Sequence, residues 1–332
     1  MANNPSVKLT FFVELEGPAL EQLFSDPSVI DNLVALNARI SLGVVDFTPE
    51  RAEVVRRLNQ AGVPVVAWQL LPREQGYWYN MCNAEHAMTR YKAFRDWSVQ
   101  EKLQWSAVGI DIEPDISELQ QLFIHKSRLI RTMIKRGCGR KLLHNSENTY
   151  QSLVMQMRSD GYPVHAYEFP FMVDEQHAGS SLLRRLFGVS AAPSDQRVLM
   201  LYTSFFRPFG PAFLWSYAVD VNSVAVGITG GGVEIEGVHH PASLSWDELS
   251  RDLRLALRRC NDIHIFSLEG CIEQGYFERL HAFDWEQPVK VPHPGVEILY
   301  VSRTALQASL WLMSRPVALV GALACVAILL TY

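Results

Sequence analysis

The sequence predicts an α/β fold, a (β/α)8 TIM-like barrel over residues 7–285, followed by a C-terminal transmembrane helix. Predicted strands and helices alternate with short links, which is typical of a parallel sheet with right-handed crossovers. Eight such units over about 280 residues match a closed barrel of this type. A doubly wound open sheet is the alternative. No Gly-x-Gly-x-x-Gly follows the first strand, so a dinucleotide site is not supported.

The strands are predicted from short runs that are rich in β-branched and aromatic residues and are bounded by turn residues. The segment Lys141–Leu143 is ambiguous between an additional short strand and a loop. In chain order, the predicted strands are Val7–Leu15, Ile40–Phe47, Val63–Leu71, Val108–Ile112, Tyr162–Phe169, Arg197–Thr203, Ser223–Thr229 and Ile263–Leu268.

Capping residues mark the ends of several predicted helices. Thr48 is an N-cap with Pro49 at the first helical position, Glu50 lies in the first turn, and Gly62 is the C-cap. Ser245–Glu248 forms a capping box. The predicted helices cover residues 18–36 (broken near its middle by a proline), 49–62, 83–105, 116–136, 150–159 and 245–260.

Composition and charge exclude several classes of protein. Of the 332 residues, 48% are hydrophobic and 20% are charged, as in globular chains. The net charge is −5 and no Lys/Arg-rich patch carries interleaved aromatic residues, so we expect no nucleic-acid partner. The five scattered cysteines form no Cys-x-x-Cys pair, so neither zinc nor a disulfide framework is indicated. We predict no cofactor and no resident metal.

The C-terminus carries a long uncharged segment. No residue from Pro316 to Tyr332 is charged, and extension back to Leu310, interrupted by Arg315, gives about 20 residues, enough to span a bilayer. Because arginines precede the segment, the positive-inside rule predicts a membrane protein with its barrel on the cytoplasmic side. We expect a linker over residues 286–304 and a membrane anchor over residues 305–332. The alternative is a hydrophobic helix that packs on the barrel or in a dimer.

One predicted strand carries the acids on which the functional prediction depends. Asp111 and Glu113 stand two residues apart at the carboxyl end of Val108–Ile112, so their side chains point to the same side. Two neighbouring carboxylates repel, and one of them tends to stay protonated, as a general acid requires. We predict Glu113 as the acid, with Asp111 tuning its pKa. The alternative is a strand end with solvated acids, or a helix cap.

Polar side chains also follow other predicted strands. Active residues in such barrels stand at the carboxyl ends of the strands, so these side chains would face one mouth. Aromatic residues are dense in the same regions, and aromatic rings with carboxylates suit sugars, which offer C–H faces and hydroxyls. Tyr202 is predicted to orient the substrate, and Glu269 or Glu168 to be the second carboxylate. The residues predicted to bind substrate are Glu14, Asp46, Gln69, Trp78, Glu168 and Trp215.

The segment Val108–Glu113 resembles the fourth-strand motif of chitinase-type (family 18) glycoside hydrolases, Asp-x-x-Asp-x-Asp-x-Glu. Asp111 and Glu113 match this motif, whereas Ser106 and Gly109 stand where the family has Asp. The resemblance implies that Glu113 is the general acid and that Asp111 positions the N-acetyl group of the substrate.

Two other segments correspond to parts of that family. Met200–Tyr202 resembles its sixth-strand segment, whose Tyr assists the N-acetyl group, and Phe266–Glu269 stands where the family has a final-strand Trp. The residues and the resemblance together predict a membrane-tethered, glycosidase-like hydrolase that acts on a carbohydrate or glycolipid by carboxylate acid/base catalysis.

Other functions stay open at this point. Glu113 and Glu269 could act across the mouth as acid and nucleophile. Thr229–Gly232 could hold phosphate in a phosphodiester or sugar-phosphate enzyme, and His144–Thr149 contains the Glu-Asn-Thr found in glycerophosphodiester phosphodiesterases. Glu113, Glu168, Glu269 and a His could form a metal site. A non-catalytic carbohydrate-binding barrel is the last alternative, favoured by the two missing acids of the motif.

Overall fold

The computed structural model describes residues 7–118, 120, 126–137, 139–233, 235 and 241–315. Eight parallel strands close into a barrel in which each strand pairs with the next and the last pairs with the first. The predicted barrel is therefore confirmed, and the open-sheet alternative is wrong. The strands are β1 Lys8–Val13, β2 Arg39–Val44, β3 Val65–Gln69, β4 Ala107–Ile112, β5 Val164–Glu168, β6 Gln196–Met200, β7 Ser223–Gly227 and β8 Asp262–Phe266.

Helices follow the strands around the outside of the barrel. Two predicted starts are confirmed: the Thr48 hydroxyl accepts from the Arg51 N–H, and Ser245 and Glu248 form the reciprocal capping box. The helices that the structure describes are α1 Gly17–Ser25, α2 Pro27–Ala35, α3 Pro49–Gln60, α4 Ala84–Gln100, α5 Lys126–Gly137, α6 Arg140–Ser159, α7 Phe171–His177, α8 Leu182–Phe187, α9 Gly210–Tyr217, α10 Trp246–Leu257, α11 Leu268–Glu273, α12 Tyr276–His281 and α13 His293–Met313.

The ambiguous segment Lys141–Leu143 belongs to helix α6 and forms no ninth strand. The buried residues of α6 include Leu143, Tyr150, Val154 and Met157, which recur at helical spacing on one face. The apolar face of the whole helix, rather than the short run at its start, therefore decides its structure.

Aromatic side chains fill the upper half of the barrel interior. Phe12 from β1 lies against Trp68 from β3 and Tyr167 from β5, with ring centroids 5.2 and 4.9 Å apart. Phe266 from β8 completes the group, 5.8 Å from Phe12. These rings are the floor on which the cavity described below rests.

Polar residues close the opposite, amino-terminal end of the interior. Arg39 of β2 forms an ion pair with Asp262 of β8 and donates to the Thr10 hydroxyl at 2.9 Å. Gln196 of β6 donates to the Ser223 hydroxyl at 2.7 Å. The polar contacts at this end therefore join neighbouring strands, and the cavity described below lies at the carboxyl ends of the strands.

The predicted C-terminal transmembrane helix, and with it the membrane location, is overturned. No helix in the described part of the chain, which ends at Arg315, is both long enough and apolar enough to cross a bilayer. The uncharged run over residues 316–332 lies outside the described residues.

The physical reason for this correction is visible in α13, which spans residues of both the predicted linker and the predicted anchor. Arg303 does not flank a membrane segment but binds groups on the barrel. Its guanidinium donates to Asp174 at 2.9 Å and to Asp220 at 2.7 Å, and lies 3.9 Å from the ring centre of Tyr217. Gln307 also donates to Asp174, at 2.8 Å. The helix is thus held on the outside of the barrel by polar contacts with α7 and the end of α9.

Candidate active site

A cavity of about 370 Å³ opens at the carboxyl ends of the strands. Most of its wall is aromatic or aliphatic, and three carboxyl groups face into it. The described lining residues are Phe12, Glu14, Trp68, Trp78, Asp111, Glu113, Tyr167, Phe169, Pro170, Phe171, Met200, Tyr202, Phe205, Phe206, Ile228, Gly231, Gly232, Val233, Ile235 and Phe266.

Asp111 and Glu113 meet at the end of β4, as their spacing predicts. The Trp68 indole N–H donates to Asp111 Oδ2 at 3.0 Å, while Oδ1 has no hydrogen-bond partner among the described residues. Burial, and then the neighbouring Glu113, hold the pKa of Asp111 well above its usual range. Burial, and then the charge of Glu14, raise the pKa of Glu113 to about 8. Glu113 therefore tends to hold a proton at neutral pH, and burial disfavours the charged form of Asp111 as well.

Glu14, directly after β1, is the third carboxyl of the cavity. The Tyr77 hydroxyl donates to its Oε1 at 2.8 Å and the Val233 N–H donates to its Oε2 at 3.1 Å. Burial raises the pKa of Glu14 to about 8, and the charges of Asp111 and Glu269 act in the same direction. The carboxyl thus connects two loops across the mouth while it contacts the cavity.

Tyr202 lies two residues after β6, on the cavity wall, with its ring centre 5.6 Å from that of Phe266. Burial raises the pKa of its hydroxyl well above the usual range, and the nearby charges of Asp111 and Glu113 raise it further. The hydroxyl therefore stays protonated and is available as a hydrogen-bond donor.

Glu269, in the first turn of α11, lies behind the glycine loop that forms part of the wall. A Cβ on Gly231, whose φ is +73°, would be 2.4 Å from Glu269 Oε1, so only glycine lets the loop pass. Burial raises the pKa of Glu269 to about 7. The charge of Glu269 raises the pKa of Glu14, which lines the cavity. Glu269 itself is not among the described lining residues.

Of the residues predicted to bind substrate, Glu14 and Trp78 line the cavity, and four do not. Asp46 is ion-paired at 2.9 Å with buried Arg51, which lowers the pKa of Asp46 to about 2 despite partial burial. Glu168 pairs with Arg197 at 2.8 Å beside a separate, more polar pocket. Gln69 is buried away from the cavity, and the Arg259 guanidinium covers the ring of Trp215 at 3.7 Å.

The two departures from the chitinase-type motif have structural explanations. A Cβ on Gly109 would be 2.7 Å from Cε2 of Tyr167, whose hydroxyl shares a 2.6 Å hydrogen bond with Ser41. The Ser106 hydroxyl donates to the Val65 carbonyl at 3.0 Å, before β4 begins. Tyr167 therefore fills the space next to Asp111 in which a further acid would lie.

Several residues that line the cavity were not predicted from the sequence. Phe12 stands two residues before Glu14, so strand alternation alone places both on the same side. Val233 and Ile235 follow the glycine loop, and no periodicity marks them. The phosphodiesterase-like segment His144–Thr149 lies within α6, on the outside of the barrel.

The glycine loop and the acids also bear on the alternative sites. The Val233 N–H after the loop donates to Glu14, and Glu269 packs against Gly231, so the loop is already beside two carboxyl groups. An anionic phosphate there would be repelled by either carboxylate when it is ionised. Among the described residues, no three His, Cys, Asp or Glu side chains are grouped to hold a metal ion.

Comparison with known proteins finds no matching family model and no matching curated protein. Solved structures to which the chain is similar include a chitinase from Chromobacterium violaceum, with a TM-score of 0.45, 13% identity, and coverage of 81% of this chain and 99% of that one. A mutant tryptophan synthase α-subunit from Pyrococcus furiosus has a TM-score of 0.41, 13% identity and coverages of 84% and 97%. A D-psicose 3-epimerase has a TM-score of 0.41, 11% identity and coverages of 90% and 99%.

The class of the protein follows from its own strand pairing. The chain folds as a closed parallel (β/α)8 barrel, and its candidate active site opens at the carboxyl ends of the strands, where barrels of this class carry their chemistry.

Proposed function

We propose that the protein hydrolyses a glycosidic bond and that Glu113 is the general acid. One observation carries the proposal: Asp111 and Glu113 lie together in a largely apolar cavity, where the pKa of Glu113 is about 8. A carboxyl group with this pKa is protonated at neutral pH and can donate its proton to a leaving oxygen.

In the proposed reaction, the Glu113 proton moves to the glycosidic oxygen as the bond from that oxygen to the anomeric carbon breaks. Positive charge develops on the sugar ring, and the neighbouring Asp111 stabilises it. Water supplies the new oxygen on the anomeric carbon and gives one proton to ionised Glu14, and the Glu113 carboxylate takes a proton back from solvent before the next turnover. The Tyr202 hydroxyl donates a hydrogen bond that orients the sugar.

The second carboxyl group in this proposal is Glu14 rather than Glu269 or Glu168. Glu14 faces the cavity, whereas Glu269 lies behind Gly231 and Glu168 is held by Arg197 next to another pocket. Ionised Glu14 can accept the proton of the attacking water or stabilise the charged ring.

The wall of the cavity supports a substrate with an apolar group near the cleaved bond, such as an aryl glycoside or a glycolipid. Phe169, Phe171 and Phe206 line the cavity together with Phe205, which is 51% exposed. A polyhydroxylated chain would leave such a wall in contact with hydroxyls, whereas an apolar leaving group would bury it.

The test measures hydrolysis of a panel of chromogenic aryl glycosides, including N-acetylated sugars, and of a glycerophosphodiester by the full chain, with and without chelator. Binding of the free sugars is measured in parallel by titration calorimetry. We expect chelator-insensitive release that falls by at least about a hundredfold in Glu113→Gln. Glu278→Gln, an exposed acid on α12, is the matched control.

Three outcomes would replace the proposal. An unchanged rate in Glu113→Gln would remove the acid assignment. Chelator-sensitive cleavage of a glycerophosphodiester would favour the metal-dependent alternative. Sugar binding without turnover by the folded protein would favour a non-catalytic carbohydrate-binding barrel.

A further inference from the structure

The cavity brings negative groups together without an opposite charge. Glu14, Asp111 and Glu113 face into it, and no Lys, Arg or His stands among its described lining residues. Asp111, which lines the cavity, is only 2% exposed, and its Oδ1 has no hydrogen-bond partner among the described residues. Buried carboxyl groups normally have a cation or several donors beside them, because an isolated buried charge is costly.

Aromatic rings surround these acids. Trp68, Tyr167 and Phe266 line the floor, with ring centres 6.1 Å apart for Trp68 and Tyr167 and 6.3 Å apart for Trp68 and Phe266. Trp78 and Tyr202 belong to the walls. The negative faces of aromatic rings attract cations, and among aromatic side chains tryptophan attracts them most strongly.

We propose that this cavity binds an organic ammonium group, with the carboxylates supplying negative charge and the aromatic wall contacting the carbon atoms of the cation. The proposal concerns binding and does not need the cavity to be catalytic. For the substrate it further implies a glycoside that carries a protonated amine, and that part rests on the proposed function.

A compact, strongly hydrated inorganic cation suits this cavity poorly. Such an ion keeps waters and needs several oxygen ligands, which a mostly apolar wall does not offer. An alkylated ammonium is only weakly hydrated and gains from contact with the rings through both its charge and its methyl groups.

Protonation of the cavity adds a signature that can be measured. Among the described residues, the titratable groups that face it, or act on it from behind, are the carboxyls of Glu14, Asp111, Glu113 and Glu269 and the phenols of Tyr77, Tyr167 and Tyr202. The guanidinium of Arg73 also acts on this set, since it lies 6.0 Å from the ring centre of Tyr77. Burial raises the pKa of Glu14 and Glu113 to about 8, and a bound cation favours their ionised forms. Binding should therefore release protons and strengthen as pH rises towards and past 8.

The experiment compares two probes of the same shape by titration calorimetry on the full chain. Choline carries a quaternary nitrogen, and 3,3-dimethyl-1-butanol has carbon in its place. We expect choline to bind at least about tenfold more tightly than the alcohol at about pH 8.5, and this preference to shrink towards about pH 6. Equal affinity for both probes, or no binding of choline at either pH, would overturn the proposal.

Isosteric variants locate the binding. Glu14→Gln and Asp111→Asn remove a negative charge with little change of shape, and each should weaken choline binding severalfold and leave the alcohol unaffected. Glu278→Gln should change neither, and near-UV circular dichroism identifies any variant that fails to fold. If only one acid variant folds, its choline affinity decides. Unchanged choline affinity in the folded variants would place the binding elsewhere and overturn the proposal.

The two proposals fail separately. Choline binding by a protein that cleaves no glycoside would retract the hydrolase and leave the ammonium site. Hydrolysis of neutral glycosides without choline binding would do the reverse.

Discussion

Glu14 and Glu113 each follow the last residues of a strand, and burial raises the pKa of both to about 8. Asp46, which also follows a strand, has a pKa of about 2 because Arg51 pairs with it. The sequence contains the same kind of pattern in all three cases. What separates them is the presence of a cation on a neighbouring element, and this cannot be deduced from strand ends alone.

The pH dependence of hydrolysis follows from Glu113. Since its pKa is raised to about 8, the acid form persists through neutral pH and is lost above it. The proposed reaction also needs ionised Glu14, whose pKa is about 8 as well. We therefore expect kcat/KM for an aryl glycoside to be highest near pH 8 and to fall at higher pH, in a profile measured on the free enzyme. A rate that is still rising at about pH 9 would contradict the assignment of Glu113 as the acid.

The pH dependence of stability tests Glu14 without any substrate. Between about pH 4.3, the usual pKa of an unfolded Glu, and its folded pKa of about 8, the folded state keeps a proton that the unfolded state has released. The free energy of unfolding therefore falls as pH rises through this window. The free energy of unfolding, measured by urea denaturation at several pH values, should therefore fall less steeply with pH in Glu14→Gln than in the unsubstituted protein, by about 1.4 kcal/mol per pH unit. An unchanged slope would mean that Glu14 titrates normally.

At the scale of elements, local patterns predicted the strands well and the C-terminal helix poorly. Short buried runs such as Val108–Ile112 are too short for a helix of ordinary length and are rich in β-branched residues, so each predicted strand overlaps an observed one. For α13, the sequence shows an apolar helix with Arg303 inside it but does not show where its partners Asp174 and Asp220 lie. The same residues therefore fit either a membrane anchor or a helix held on the barrel.

The contact of Arg303 with Asp174 should dominate the attachment of α13. Asp174 is fully buried, so Arg303→Gln leaves its charge without a cation, at a cost of about 3–5 kcal/mol in unfolding free energy. Urea denaturation measures this loss, and adding Asp174→Asn should recover part of it. Arg315→Gln, which changes an exposed arginine beyond the helix, should cost no more than about 0.5 kcal/mol. Additive effects of the two changes at 303 and 174 would show that the pair is not coupled.

At the scale of the whole molecule, closure of the barrel brings residues from distant parts of the chain to one mouth. Glu14, Glu113 and Tyr202 are brought together as predicted, because strand ends of a parallel barrel share one side. The wall residues Val233 and Ile235 could not be predicted, since they come from a loop whose course depends on contacts with Glu14.

The exposed ring at the rim gives a test of substrate class. Phe205→Ser removes apolar surface from the mouth and leaves the acids in place. We expect KM to rise about threefold to thirtyfold for an aryl or long-chain alkyl glycoside and to stay unchanged for the methyl glycoside of the same sugar. Phe187→Ser, at an exposed phenylalanine on α8, is the control. An equal rise for both substrates would argue against an apolar leaving group.

The packing of Tyr167 against Gly109 also restricts how this barrel can evolve. Introducing Asp at position 109 alone would drive the new side chain into the ring, since even a Cβ would be 2.7 Å from it. Shortening Tyr167 alone would leave a void and take the hydrogen bond away from Ser41. Each single substitution towards the full chitinase-type motif is therefore unfavourable. A steric clash is avoided only if Tyr167 is replaced by a smaller residue before Gly109 is replaced by Asp.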